Sequence, residues 1–212
     1  MDAVLELREA VDFLRFSAKA ARRQFTGPLP LPGPTGEEIR LSLHGRGVFA
    51  CISPWNFPFN VPGRKCTPAL ISGNTIVFKP ATLTPKAGRA FLDLFIEAGL
   101  PPGVLNFVTG GGSTVGEEMI TNPLVEAISF TGSTGVGKGI QQTVAQSLTR
   151  TQLELGGKNP AGILEDADLD KAADAVATAA YACAGQWCPS TSRAIVVRAV
   201  AEAFTAKVLE RV

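Results

Sequence analysis

Apolar residues recur at helical spacing near the start of the chain. Val4, Leu7, Val11 and Leu14, then Ala18 and Ala21, predict a helix over residues 3–25. Residues 26–36, TGPLPLPGPTG, hold four prolines and three glycines. No helix survives that composition, so a linker or extended arm is expected. A rhythm then begins. Short apolar, β-rich runs stand at 47–52 (GVFACI), 74–79 (NTIVFK), 104–109 (VLNFVT) and 125–131 (VEAISFT). Helical patterns separate them at 60–72, 84–98 and 113–121, and another follows at 134–148. Further strands are read at 151–157 and 160–165, an alanine-rich helix at 168–183, a strand at 193–198 and a terminal helix.

Strands alternating with helices of this length form βαβ units and a parallel sheet. The apolar runs show no polar alternation, as expected of strands covered on both sides. The expected fold class is therefore α/β: a parallel Rossmann-like sheet with helices on both faces, followed by the start of a second α/β domain. Such sheets bind ligands beyond the carboxyl ends of their strands. Trp55 and Asn56 follow the first run, Lys79 ends the second, and two glycine-rich loops, TGGGSTVG (109–116) and TGSTGVGKG (131–139), follow the third and fourth. Both loops open helices, where backbone N–H groups attract phosphate. A nucleotide site is the natural reading, with helix capping by Thr131, Ser133 or Thr134 as the alternative.

Composition narrows the classes. At 45% hydrophobic and 18% charged residues the chain can build a large core. A net charge of +1 gives no sign of a nucleic-acid partner. No window resembles a membrane span, and the N-terminus lacks the basic region of a signal peptide, so the expected address is the cytoplasm. Four cysteines and a single histidine, His44 in a turn-like LHGRG, speak against a disulfide scaffold and against a His/Cys metal site. Any proton chemistry falls to carboxylates, lysines or thiols.

GSTGVGKG (132–139) comes close to a phosphate-binding P-loop, but Gly139 stands where that motif needs a hydroxyl for magnesium. A P-loop NTPase is therefore disfavoured. Glu154 lies in LELGGK, flanked by leucines. A carboxylate on a buried strand end is costly unless paired or functional, the alternative being an edge-strand glutamate facing water. Cys51, Cys66 and Cys183 fall in regular elements or at their ends and read as inert thiols. Cys188 falls in an irregular stretch between Gly185 and Pro189, where access and reactivity are possible.

Taken in order, PWNFP (54–58), FKPATLTP (78–85), FTGSTGVGKG (130–139), LELGGKNP (153–160) and GQWC (185–188) resemble the signature segments of the aldehyde dehydrogenase superfamily, and GLPPGVLNFVTG (99–110) is similar too. The resemblance runs from about residue 8 onwards and favours the semialdehyde-oxidising branch. It implies a nucleotide (NAD(P))-binding domain over 1–155, with 26–46 an extended arm, and the beginning of the catalytic domain over 156–212. It implies Cys188 as the nucleophile, Asn56 as the oxyanion amide and Glu154 as the base that activates water. It implies cofactor contacts from Trp55, Lys79, Thr82, Gly112, Gly116, Phe130, Thr131, Gly132, Ser133, Val136, Leu155 and Gly156, and no metal. Family members that prefer NAD often carry a glutamate where this chain has Thr82, so NADP is favoured over NAD. The implied partners are a small aldehyde substrate and, in the full-length form, further copies of the same chain. Pro189 departs from the small or hydroxyl residue usual after the nucleophile. A nucleotide-binding remnant without turnover shares every one of these motifs and is the competing reading.

Overall fold

The computed structural model describes residues 2–212. The chain divides into two compact units, Ala3–Glu154 and Leu155–Val212.

The first unit opens with α1 (Asp2–Gln24), which closes on Arg22 and Arg23, cations that suit the negative end of a helix. The proline-rich stretch, expected as a linker or extended arm, carries regular structure. It contains β1 (Leu29–Pro32), paired antiparallel with β2 (Glu38–Leu41) in the register Leu29↔Leu41 and Leu31↔Ile39. Each strand of a two-stranded ribbon has a free edge, and proline, which lacks an N–H to donate, is tolerated there.

There follow β3 (Val48–Ile52), α2 (Asn60–Ile71), β4 (Thr75–Lys79), α3 (Pro85–Glu97) and β5 (Leu105–Phe107). After β5 a π-helical turn at Gly112–Gly116 leads into α4 (Glu117–Thr121), then β6 (Val125–Thr131), α5 (Thr134–Val144) and β7 (Arg150–Glu154). Five strands form one parallel sheet in the order β5-β4-β3-β6-β7. The order reverses between β3 and β6, the switch point at which open sheets of this kind hold ligands.

Register assigns the side chains to two faces. Cys51, Phe78, Ser129 and Gln152 lie in one row across the sheet, and Ile52, Lys79, Phe130 and Leu153 in the next. Successive residues point to opposite faces. The first row meets α2 and α3 in a core of Cys51, Cys66, Ile76, Phe78, Phe91 and Leu92. The second row faces α4 and α5.

The start of α2 has no side-chain cap of its own, because its N-cap residue is Phe59. The cap comes from α1: Glu6 Oε1 accepts the N–H groups of Phe59 and Asn60 at 2.8 and 3.0 Å. Two orphan donors of the first turn are satisfied by a carboxylate at the positive end of the helix.

The second unit pairs β8 (Asn159–Ile163) with β9 (Thr191–Val196), in parallel. Between them α6 (Leu169–Tyr181) is capped by Asp168, whose carboxylate accepts from Lys171 N–H at 3.2 Å. α7 (Ala201–Leu209) packs on α6, and Ile163, Ala173 and Phe204 form the small core. Between α6 and β9 the chain turns through Cys183 and Ala184, both with positive φ, and runs irregularly through Gln186–Ser190. Among the described residues no helix is long and apolar enough to cross a membrane, and no cluster of acids, cysteines and histidine could hold a metal ion.

Candidate functional site

A pocket of about 400 Å³ opens on the α4/α5 face, at the carboxyl ends of the central strands. Its floor is Ile52, Lys79 and Phe130, the row in which β3, β4 and β6 lie side by side. One wall is Gly112, Ser113, Gly116, Glu117 and Ile120; the other is Val136, Gly139, Ile140 and Thr143 along α5. A Cβ on Gly112 or Gly139 would meet no atom within 4 Å, so the space that these glycines leave is free for a ligand. A larger cavity, about 550 Å³, lies on the same face towards the strand starts, among Val48, Val77, Val115, Met119 and Leu124. It has little to orient a polar ligand, and binding sites need a few convergent polar groups. The smaller pocket, with Lys79, is the candidate site.

Lys79 is 5% exposed, and its ammonium bonds one acceptor, the Pro80 carbonyl, at 3.3 Å. An ammonium has three donors. Burial pushes its pKa below the ordinary lysine value. A buried cation with donors to spare, facing a pocket, suits a phosphate or a ribose hydroxyl. Beyond the pocket floor, Ser133 caps α5 by accepting from Val136 N–H at 3.4 Å. The loop before it is held tightly: Gly132 N–H donates to the Glu154 carbonyl at 3.1 Å. A Cβ on Gly132 would lie 2.5 Å from Phe130 Cζ, so only glycine lets the chain pass over that ring. Glycine cradle, lysine and helix N-terminus together fit a dinucleotide.

The side chains read as reactive are placed as follows. Asn56 is half-buried in the turn after β3. Glu154 ends β7, and here the buried-strand premise is overturned. β7 is the edge strand of its sheet, and Glu154 is exposed. It is nonetheless held, because Gln152 Nε2 donates to its Oε1 at 2.9 Å. In the second unit Cys188 is exposed, whereas Cys51 and Cys66 are buried and Cys183 is half-buried. The Cys188 carbonyl is anchored by Asn159 Nδ2 at 2.6 Å, and Ser190 Oγ accepts from Trp187 N–H at 3.2 Å. The loop is thus tied down on both sides of its thiol.

Of the cofactor contacts expected in the first unit, Lys79, Gly112, Gly116, Phe130 and Val136 line the pocket. Trp55, Thr82, Thr131, Gly132 and Ser133 do not. Trp55 is 45% exposed, Thr82 is exposed in the turn after β4, and Thr131 Oγ1 is buried without a hydrogen-bond partner. Leu155 and Gly156 belong to the second unit. Ile52, Ser113, Glu117, Ile120, Gly139, Ile140 and Thr143 were missed. A signal for the last three was present: 136, 139, 140 and 143 share one helix face by the three-and-four spacing.

Comparison with known proteins points one way. The model of the aldehyde dehydrogenase family matches residues 1–212. The chain is 49% identical over 165 residues to the alpha-ketoglutaric semialdehyde dehydrogenase of Bacillus subtilis, covering 78% of this chain and 34% of that protein. It is 38% identical over 207 residues to the NADP(+) succinate-semialdehyde dehydrogenase of Escherichia coli, covering 98% of this chain and 43% of that protein. The crystal structure of Escherichia coli lactaldehyde dehydrogenase superposes with a TM-score of 0.91 at 40% identity, over 97% of this chain and 43% of that one. The chain spans less than half the length of each of these relatives.

Proposed function

Because the chain belongs to the aldehyde dehydrogenase family, we propose that its residues serve the NAD(P)-dependent oxidation of an aldehyde to a carboxylic acid. The observation that carries this reading is the contrast among the thiols: Cys188 is exposed in an anchored loop, and the other three cysteines are buried or half-buried. Cys188, as thiolate, attacks the aldehyde carbonyl carbon. The oxygen that becomes negative is stabilised by the Asn56 amide and the Cys188 N–H. The cofactor supplies the hydride acceptor, which leaves a thioester on Cys188. Glu154 takes a proton from the water that attacks this thioester; the C–S bond breaks, the acid leaves and Cys188 is restored as its thiolate.

Lys79, the glycine-lined pocket and the start of α5 would hold the cofactor. Their role is binding and orientation, since the redox chemistry belongs to the cofactor. NADP is favoured over NAD: Lys79 offers a free positive charge, and Thr82 places no carboxylate beside a 2′-phosphate. The NADP(+) relative supports this choice. The substrate reading is a small semialdehyde, supported by the names of the two protein relatives. The exposed Leu29, Leu31, Ile39 and Leu41, brought onto one face of the ribbon by its register, support assembly with further copies in the full-length form.

The test is the pair Cys188→Ala and Cys51→Ala, assayed for reduced cofactor and for cofactor binding. Cys188→Ala is expected to abolish turnover with cofactor still bound, and Cys51→Ala to leave turnover largely intact. Equal loss from both variants would sink the assignment.

A further inference from the structure

Gln152 links two charges of opposite sign. Its amide oxygen accepts from Lys65 Nζ at 2.9 Å and from Ser129 Oγ at 2.6 Å. Its amide nitrogen donates to Glu154 Oε1 at 2.9 Å. Lys65 also donates to Ser129 at 3.0 Å, and both residues are more than nine-tenths buried. The amide has one orientation that satisfies both neighbours. An ammonium can only donate, so the oxygen must face Lys65; a carboxylate can only accept, so the nitrogen must face Glu154. Lys65 therefore settles which way the amide points. Register makes the geometry possible: Ser129 and Gln152 are cross-strand partners on β6 and β7, and Gln152 and Glu154 are two apart on β7.

We propose that Gln152, oriented by Lys65, is a positioning residue that holds the Glu154 carboxylate for thioester hydrolysis. This rests on the reading of Glu154 as the base given above. Neither Gln152 nor Lys65 needs to touch substrate. Their part is to restrict a carboxylate that would otherwise swing freely on an exposed strand end. The groups that act on Lys65 are Cys51 of β3, Arg64 and Cys66 of α2, and Glu154 of β7; burial brings its pKa down to about 8. Above that pH the cation that orients the amide is lost, so hydrolysis should weaken on the alkaline side.

The experiment follows the acyl adduct on Cys188 by mass spectrometry and the burst of reduced cofactor, in the full chain, across pH. Gln152→Met keeps the length and removes all three hydrogen bonds of the amide, those with Lys65, Ser129 and Glu154. It should slow loss of the adduct about tenfold, the effect of one hydrogen bond to a charged group, and leave the burst unchanged. Its alkaline limb should vanish. Lys65→Arg, which stays charged, should also lose that limb while hydrolysing faster than Gln152→Met. Equal slowing of burst and hydrolysis, or an unchanged limb, would mean that Gln152 only supports the fold, and would overturn the proposal. Glu154→Gln runs alongside: if it hydrolyses normally, the base assignment is what has failed. A second readout needs no turnover. In chain labelled with ¹³C-lysine, the Lys65 titration midpoint near 8 should fall in Glu154→Gln, because the carboxylate that favours the ammonium is gone. A midpoint that stays put would break the link between the two charges.

Discussion

The two faces of the five-stranded sheet are built from the same strands and do opposite things. The α2/α3 face is closed by aromatic rings. Phe91 meets Phe59, Phe78 and Phe95 with centroids 5.5, 5.8 and 4.9 Å apart, and Phe78 meets Phe107 at 5.9 Å. The α4/α5 face has Gly112, Gly116 and Gly139 among its walls, and it is left with a pocket. Each face also buries one lysine. Lys65 shares its donors with Ser129 and Gln152, whereas Lys79 bonds the Pro80 carbonyl and keeps donors for the pocket. The lesson concerns how a ligand face is recognised. Burial of a charge does not mark it, since both lysines are buried; an unsatisfied donor set beside empty space does.

Three measurements test this contrast. The largest effect belongs to the closed face. Phe91→Ala removes the ring on which three others pack, and should cost about 3–5 kcal/mol in urea unfolding. A cost below about 1 kcal/mol would show that the aromatic cluster does not carry the stability of that face.

Next comes the buried lysine of the closed face, through its pH dependence. Burial lowers the pKa of Lys65 from its usual 10.5 to about 8. Between those values the unfolded chain binds more protons than the folded one, so stability rises with pH. The cost of the buried charge is fully present below about 8 and gone above 10.5. Relative to Lys65→Met, the parent should gain on the order of 3 kcal/mol across that window. A difference that is flat with pH would show that Lys65 is not desolvated as described.

The smallest effect lies on the open face and has the opposite sign. Gly139 sits inside α5, and a Cβ there meets nothing within 4 Å. Gly139→Ala should stabilise the chain by up to about 1 kcal/mol, since glycine is a poor helix former. Cofactor affinity, read by titration, should fall at the same time, because the methyl enters the pocket. Stabilisation with unchanged affinity would move the cofactor elsewhere.

Much of this was legible in the residues. The βα alternation predicts every strand of the large sheet. Ser133 was among the residues expected to cap α5, and it does so. Cys188 stood out because glycine and proline flank it. Other features were not legible. The caps that Glu6 supplies to Phe59 and Asn60 join residues more than fifty positions apart. Nothing around Gln152 announces a partner at Lys65, eighty-seven positions away. The edge position of β7 depends on strand order, which periodicity does not encode, so Glu154 was expected to be buried where the structure exposes it.

The division has a physical reason. Periodicity and turn chemistry are local, and each segment carries them whatever its neighbours: the apolar runs are strands, the spaced runs are helices, and the glycine loops open helices. The ordered motifs carry the resemblance to the family, and the family model's match over residues 1–212 shows it. Tertiary structure alone decided which face was closed by phenylalanine and which was left open by glycine. It decided that Lys79 bonds a single carbonyl beside a pocket while Lys65 is held by two side chains, and that a glutamine stood between a cation and a carboxylate. Such outcomes depend on which distant segments pack together. Packing is a contest among many possible partners, and no single segment records its result.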